Sequence, residues 1–235
     1  MIDFHTHVLP GIDDGSRNVE TSLKMIRTMQ EQGTDIICAT PHFYASRLSP
    51  QTFLERRQAS WELLYSKLPE NSPQIMLGAE VLYYPGISRM EALPNLCLEG
   101  TNILLLEMPM STWSRYTVTE LQELASSGEF TLMIAHIERY YDEQKKNVWD
   151  GLSEMGVVMQ SNARRFYQSL SSMKRATQML RNNEIDVIGS DAHNLISRPP
   201  NMMYAERAIR KKLGNGFWKS LSGYAYSLLK YASVQ

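Results

Sequence analysis

Cysteine is almost absent from the 235 residues, with Cys38 and Cys97 its only representatives. That excludes a disulfide framework and points to a reducing compartment. Neither charge sign is in excess: 24 basic side chains stand against 25 acidic ones, a formal net charge of −1. Nucleic-acid binders ordinarily carry a basic surplus, so no such partner is expected. No apolar run approaches the ~18–20 residues of a membrane span. The opening Met1-Ile2-Asp3-Phe4-His5 has neither the basic start nor the apolar stretch of a secretory signal, so none is expected. Glycine-rich phosphate loops of the GxGxxG and GxxxxGKS/T types are missing, which removes support for the common nucleotide folds. Linkers rich in Pro, Gly or Ser, internal repeats and low-complexity tracts are missing as well. What remains is 43% hydrophobic and 21% charged, the ordinary composition of a folded cytoplasmic protein.

Short apolar runs alternate with longer helical patterns. The runs predict strands near 2–4, 35–39, 74–77, 103–106, 131–135, 157–160 and 185–188. Each is nearly continuous in apolar character, as parallel strands covered on both faces require. Helices are expected between them: Val19, Leu23, Ile26 and Met29 recur at helical spacing before Gly33, and Ser49-Pro50 reads as a cap followed by a first-turn proline. Further helices are expected near 117–126, 145–155, 171–182 and 201–213, and a last one, 216–231, is expected across the outside. Strict alternation implies right-handed crossovers in one α/β domain over 1–235, either a barrel or an open doubly wound sheet.

All five histidines follow closely behind an expected strand. His5 and His7 form a His-x-His pair after the first, His42 follows the second, His136 the fifth and His193 the seventh. The third and fourth strands end instead in carboxylates, Glu80 and Glu107, and Asp191 precedes His193. Parallel α/β folds gather the C-terminal ends of their strands on one face, where active sites lie. A lone histidine there is ordinarily a hydrogen-bonded packing residue. A complete set, joined by carboxylates that are costly to bury without a cation, instead reads as a metal centre. Imidazole and carboxylate without thiolate suit Mn, Fe or Zn. With Asp13 or Asp14 the set offers ligands for two or three ions, and Glu80 is a candidate bridge.

The ordered runs His5-Thr6-His7, Gly11-Ile12-Asp13-Asp14-Gly15, Thr40-Pro41-His42, Gly78-Ala79-Glu80, Glu107-Met108-Pro109, Ala135-His136-Ile137-Glu138-Arg139 and Ser190-Asp191-Ala192-His193-Asn194 resemble the polymerase-and-histidinol-phosphatase (PHP) superfamily. Within it they resemble the CpsB/YwqE branch of bacterial protein-tyrosine phosphatases. The resemblance implies a distorted (β/α)7 barrel with a trinuclear, usually manganese-dependent site. By motif, His5, His7, Glu80 and Asp191 would hold one ion, Glu80, Glu107 and His136 a second, and Asp14, His42 and His193 a third. The implied substrate is a tyrosine-phosphorylated protein, a bacterial tyrosine kinase with a tyrosine-rich tail that controls capsule or exopolysaccharide assembly. The alternative is a small-molecule phosphatase of the same superfamily, such as a histidinol-phosphate enzyme. Relatives often carry a histidine where this chain has Phe43, and some a proline at Ile137.

Such a centre suits phosphoryl transfer, because a water shared by two ions loses its proton near neutral pH and attacks without a side-chain nucleophile. Arg139 and Arg198 follow ligand positions closely and are expected to bind and neutralise the phosphoryl group. A cysteine phosphatase is excluded, since Cys-x5-Arg would place arginine at Tyr44 or Ile103. Phe43 and Tyr44 are expected to contact substrate. Tyr83, Tyr84, Trp113, Tyr116, Tyr140 and Tyr141 are further rim candidates.

Overall fold

The computed structural model describes residues 1–233. Strand β1 (Ile2–Thr6) leads to helix α1 (Val19–Glu31), whose N-terminus is capped by the Asn18 side chain accepting from the Thr21 N–H. Strands β2 (Ile36–Ala39) and β3 (His42–Phe43) follow, then α2 (Pro50–Tyr65), with Ser49 as its cap and Pro50 in its first turn. Next come β4 (Gln74–Leu77), β5 (Glu80–Leu82), β6 (Ile103–Glu107), α3 (Arg115–Ser126) and β7 (Thr131–Ile134). The chain ends with α4 (Lys146–Glu154), β8 (Val158–Asn162), α5 (Leu170–Arg181), β9 (Val187–Gly189), α6 (Met202–Leu213) and α7 (Asn215–Tyr231). Every expected element is present, with ends shifted by a few residues.

Among the described residues, nine strands occupy seven positions. Thr40-Pro41 divides β2 from β3 and Gly78-Ala79 divides β4 from β5, so each pair is one interrupted strand. All ladders are parallel, in the orders β1-β2-β4 and β3-β5-β6-β7-β8-β9. The two ends meet, because the Asp191 N–H donates to His5 O at 2.8 Å and the His7 N–H to Ala192 O at 2.9 Å. This curled sheet is the distorted (β/α)7 arrangement. The distortion is local: residues 98 and 99 wedge between β4 and β6, with the Glu99 N–H on Leu77 O at 2.7 Å and the Leu98 N–H on Ile103 O at 2.9 Å.

Helices cover the sheet with apolar stripes. Met25, Ile26 and Met29 of α1 pack on Ile37 and Ala39 of β2, while α3 to α6 share a larger cluster with β6 to β9. The last helix departs from expectation. Rather than lying on the outside, α7 crosses the N-terminal ends of the strands: Ala225, Leu228 and Leu229 join Ile2, Ile103, Met133, Val158 and Val187 in one cluster. Beyond it, the Asn102 N–H donates to Ala232 O at 2.9 Å. With that end sealed by apolar contacts, the C-terminal ends of the strands are left as the open face.

Candidate metal centre

Six of the seven strand positions deliver a histidine or carboxylate to that face. His5 and His7 come from β1 and the residue just past it, His42 opens β3, Glu80 opens β5, Glu107 ends β6, His136 follows β7, and Asp191 and His193 follow β9. Two of the turns that present them are strained, with φ +33° at His136 and +54° at Asp191, a region non-glycine residues rarely occupy. Close backbone approach is secured by glycine: a Cβ at Gly15 would sit 2.4 Å from His7 Cβ, and one at Gly189 would sit 2.6 Å from His5 Cβ.

The donors converge in three overlapping groups. His5 Nε2 lies 3.2 Å from both His7 Nε2 and Glu80 Oε2, and 3.7 Å from Asp191 Oδ1. His136 Nε2 lies 2.7 Å from Glu80 Oε1 and 3.6 Å from Glu107 Oε1. Asp14 Oδ1 lies 3.4 Å from His42 Nε2 and 3.5 Å from His193 Nε2. Glu80 stands between the first two groups and also meets His42 Nδ1 at 2.7 Å. Asp13 and Asp14 are now distinguished. Asp13 turns to His7 Nδ1 at 2.7 Å and accepts the Gly15 and His42 N–H groups, whereas Asp14 faces His42 and His193.

Hydrogen bonding on the far side of the rings sets which nitrogen is available. Gln160 Oε1 lies 3.3 Å from His5 Nδ1, Asp13 Oδ2 2.7 Å from His7 Nδ1, and Asp191 O 3.0 Å from His193 Nδ1. An acceptor there places the ring proton on Nδ1 and turns the Nε2 lone pair to the centre, as in protein sites that bind metal through imidazole. Glu80 Oε2 meets His42 Nδ1, His5 Nε2 and His7 Nε2 at 2.7 to 3.4 Å, and among the described residues the buried His193 Nε2 has no hydrogen-bond partner. Acceptor atoms brought together in this way fit divalent cations, and the oxygen and nitrogen set fits manganese, iron or zinc.

Burial opposes charge on His7, yet hydrogen bonds and charges from Asp13 and Glu80 hold its pKa up at about 10. His5 is raised as well, with Glu80 and Asp191 overcoming burial. Glu80 lies well below the usual carboxylate range against its own burial, held there by His5, His136 and His42. His193 is pushed down to about 3 by burial and by the charges of His7 and Arg198. Glu107 is raised by burial and by the neighbouring Glu80.

Both expected arginines reach the centre. Arg139 Nη2 lies 2.6 Å from Asp191 Oδ2 and Arg198 Nη2 2.5 Å from Asp191 Oδ1, so the two guanidinium groups flank one carboxylate. Tyr44 stacks on His42 with centroids 5.2 Å apart, under the Arg47 guanidinium at 4.8 Å. Phe43 does not belong with them. It is fully buried and packs on Phe53 at 5.1 Å, because successive strand residues point to opposite faces and His42 takes the open one. Several rim candidates are core residues too: Tyr83 bonds the buried Glu120, and Trp113, Tyr140 and Trp149 pack together with centroids 5.1 to 6.4 Å apart. Sequence reasoning missed two neutral residues. Gln160 Oε1 accepts the His136 N–H at 2.7 Å, and Asn162 Nδ2 donates to Asp191 Oδ2 at 2.8 Å. Both lie on β8, among the described residues the one strand position that brings no histidine or carboxylate to the centre, and polar residues ending an apolar strand were the available signal.

The family model for capsular polysaccharide synthesis, CpsB/CapC, matches residues 1–226. The chain belongs to the CpsB/CapC family. Tyrosine-protein phosphatase CpsB of Streptococcus pneumoniae is 31% identical over 237 residues, covering 91% of each chain. Tyrosine-protein phosphatase YwqE of Bacillus subtilis is 28% identical, covering 100% of this chain and 93% of its own length. A solved chain from crystal structures of YwqE from Bacillus subtilis and CpsB from Streptococcus pneumoniae, described there as unique metal-dependent tyrosine phosphatases, superposes with a TM-score of 0.85. It is 26% identical and covers 100% of this chain and 96% of that one. Among the described residues, no helix of this family member is long and apolar enough to cross a membrane.

Proposed function

We propose that this CpsB/CapC chain is a metal-dependent protein-tyrosine phosphatase, acting as one domain over residues 1–235. The observation that carries the reading is the convergence of His5, His7 and His193 through Nε2 on the carboxylates of Glu80, Asp191 and Asp14, each ring fixed from behind by an oxygen. His5, His7, Glu80 and Asp191 would hold one ion, Glu80, Glu107 and His136 a second, and Asp14, His42 and His193 a third. Divalent ions there, manganese by preference, supply neutralisation of the phosphoryl oxygens and activation of water near neutral pH.

The reaction is hydrolysis of a phosphomonoester: the ester P–O bond breaks, water supplies the new P–O bond, and tyrosine leaves as the phenol. Arg139 and Arg198, only 24% and 33% exposed, hold the phosphoryl group through N–H donors left free beside Asp191. Asp191 keeps both guanidinium groups aimed before substrate arrives. The leaving phenol has an ordinary pKa of about 10, so it departs with little help from a side-chain acid. Tyr44, stacked on His42 and under the Arg47 guanidinium, places an aromatic ring beside the centre for the substrate's aryl group to pack near. The substrate in this reading is a tyrosine-phosphorylated protein, a bacterial tyrosine kinase of capsule or exopolysaccharide assembly whose tail is rich in tyrosine.

Phosphate release from a tyrosine-phosphorylated peptide and from histidinol phosphate tests this, with metal-stripped, manganese-restored and chelator-treated protein. Manganese-dependent release from the peptide, with little from histidinol phosphate, is the expected result. The opposite preference would assign the same centre to small-molecule metabolism.

A further inference from the structure

A cleft of 510 Å³ opens beside the metal centre and shares Arg139, Arg198 and Asp191 with it. Its far wall carries Arg164 and Arg165, on the 3-10 turn Ala163–Phe166 that follows β8. Two carboxylates line it, and both are engaged: Asp191 by Arg139 and Arg198, Glu138 by Arg165 at 3.5 Å. Arg164 is different. It is exposed, its side chain makes only a long contact to Ser197 O at 3.5 Å, and no carboxylate among the described residues pairs with it. The cleft therefore holds a surplus of guanidinium charge. Buried Asn201 also lines it.

The same rim bears Ile196, 92% exposed. A floppy loop does not account for this exposure. Asn194 Oδ1 accepts the N–H groups of Ile196, Ser197 and Arg198 at 2.8 to 3.2 Å, and the His193 N–H closes the turn on Arg198 O at 2.9 Å. A pinned turn that offers an aliphatic side chain to water beside unpaired positive charge fits an extended acidic peptide.

We propose that this cleft is a specificity subsite for the residues flanking the phosphotyrosine, with Arg164 pairing an acidic side chain and Ile196 packing against its apolar neighbour. The inference rests on the phosphatase reading above and adds the sequence context that the enzyme selects.

The test compares kcat/KM of the manganese-loaded full chain on two phosphotyrosine peptides that differ only in glutamate or glutamine flanks, with a small aryl phosphate as reference. The acidic peptide should be preferred about three- to tenfold at low salt, the range of one or two exposed guanidinium–carboxylate pairs, and less at high salt. Arg164→Glu should bring the ratio to one or below, Arg164→Lys should keep most of it, and Ile196→Ala should lower both peptides relative to the aryl phosphate. Because the ratio is taken within each variant, partial loss of folded enzyme cancels, and Arg164→Gln replaces the reversal if that variant fails to fold. A ratio of one in the unaltered enzyme, or one unmoved by Arg164→Glu, overturns the subsite while leaving the phosphatase reading intact. Turnover of the aryl phosphate with none of either peptide overturns both.

Discussion

Asp13 and Asp14 are adjacent in the chain and opposite in role: the first orients His7 from behind, the second faces two rings from the front. Asp13→Asn should therefore weaken metal binding about 10–100-fold, as loss of a carboxylate behind a metal-binding histidine ordinarily does, with activity restored by excess metal. Unchanged affinity in a metal titration would contradict that role. His7 also gives the metal-free protein a pH signature. Its folded pKa of about 10 stands above the ordinary 6.5, so its stabilising contribution is full below about 6.5 and is lost as pH rises through 10. Urea unfolding of chelated protein should show a falling midpoint across that window, and metal loading near neutral pH should release protons to an indicator dye. The metal-binding candidates were legible because their residue types are distinctive and each follows a recognisable strand. Gln160 and Asn162 were not, since a neutral amide gives no sign in sequence of which ring or carboxylate it supports. Phe43 misled through adjacency, because a neighbour of His42 along a strand lies on the other face.

At the scale of elements, the centre depends on how closely two strands pass. Gly189 lets β9 pass β1 with no room for a side chain, so Gly189→Ala should displace His5. Reduced bound metal in a folded protein is the expected outcome, and full metal content would show that the backbone yields instead. Helix α7 works from the opposite end. Leu228→Ala and Leu229→Ala should each cost about 2–4 kcal/mol of stability in denaturant titrations, as buried leucines do when a cavity is left. The apolar residues of α7 were visible in sequence, but which surface they cover depends on where the strand ends come together. A helix crossing a barrel end carries the same stripe as one lying against its side.

For the whole molecule, alternation of strands and helices announced a parallel α/β fold yet left barrel and open sheet undecided. The difference rests on a few long-range bonds, such as the His7 N–H on Ala192 O, between segments nearly the full chain apart. Those bonds join β1 and β9 and so assemble the first group of donors, which ties closure to metal binding. The most direct measurement is the metal content of manganese-loaded protein beside its phosphotyrosine-peptide turnover, for the unaltered chain and for Glu80→Gln. The account expects up to three ions per chain, one for each of the three groups of donors described above. In Glu80→Gln it expects loss of more than one ion together with loss of turnover, because one carboxylate serves two groups. Full metal content in that variant, or turnover that survives without metal, would contradict it.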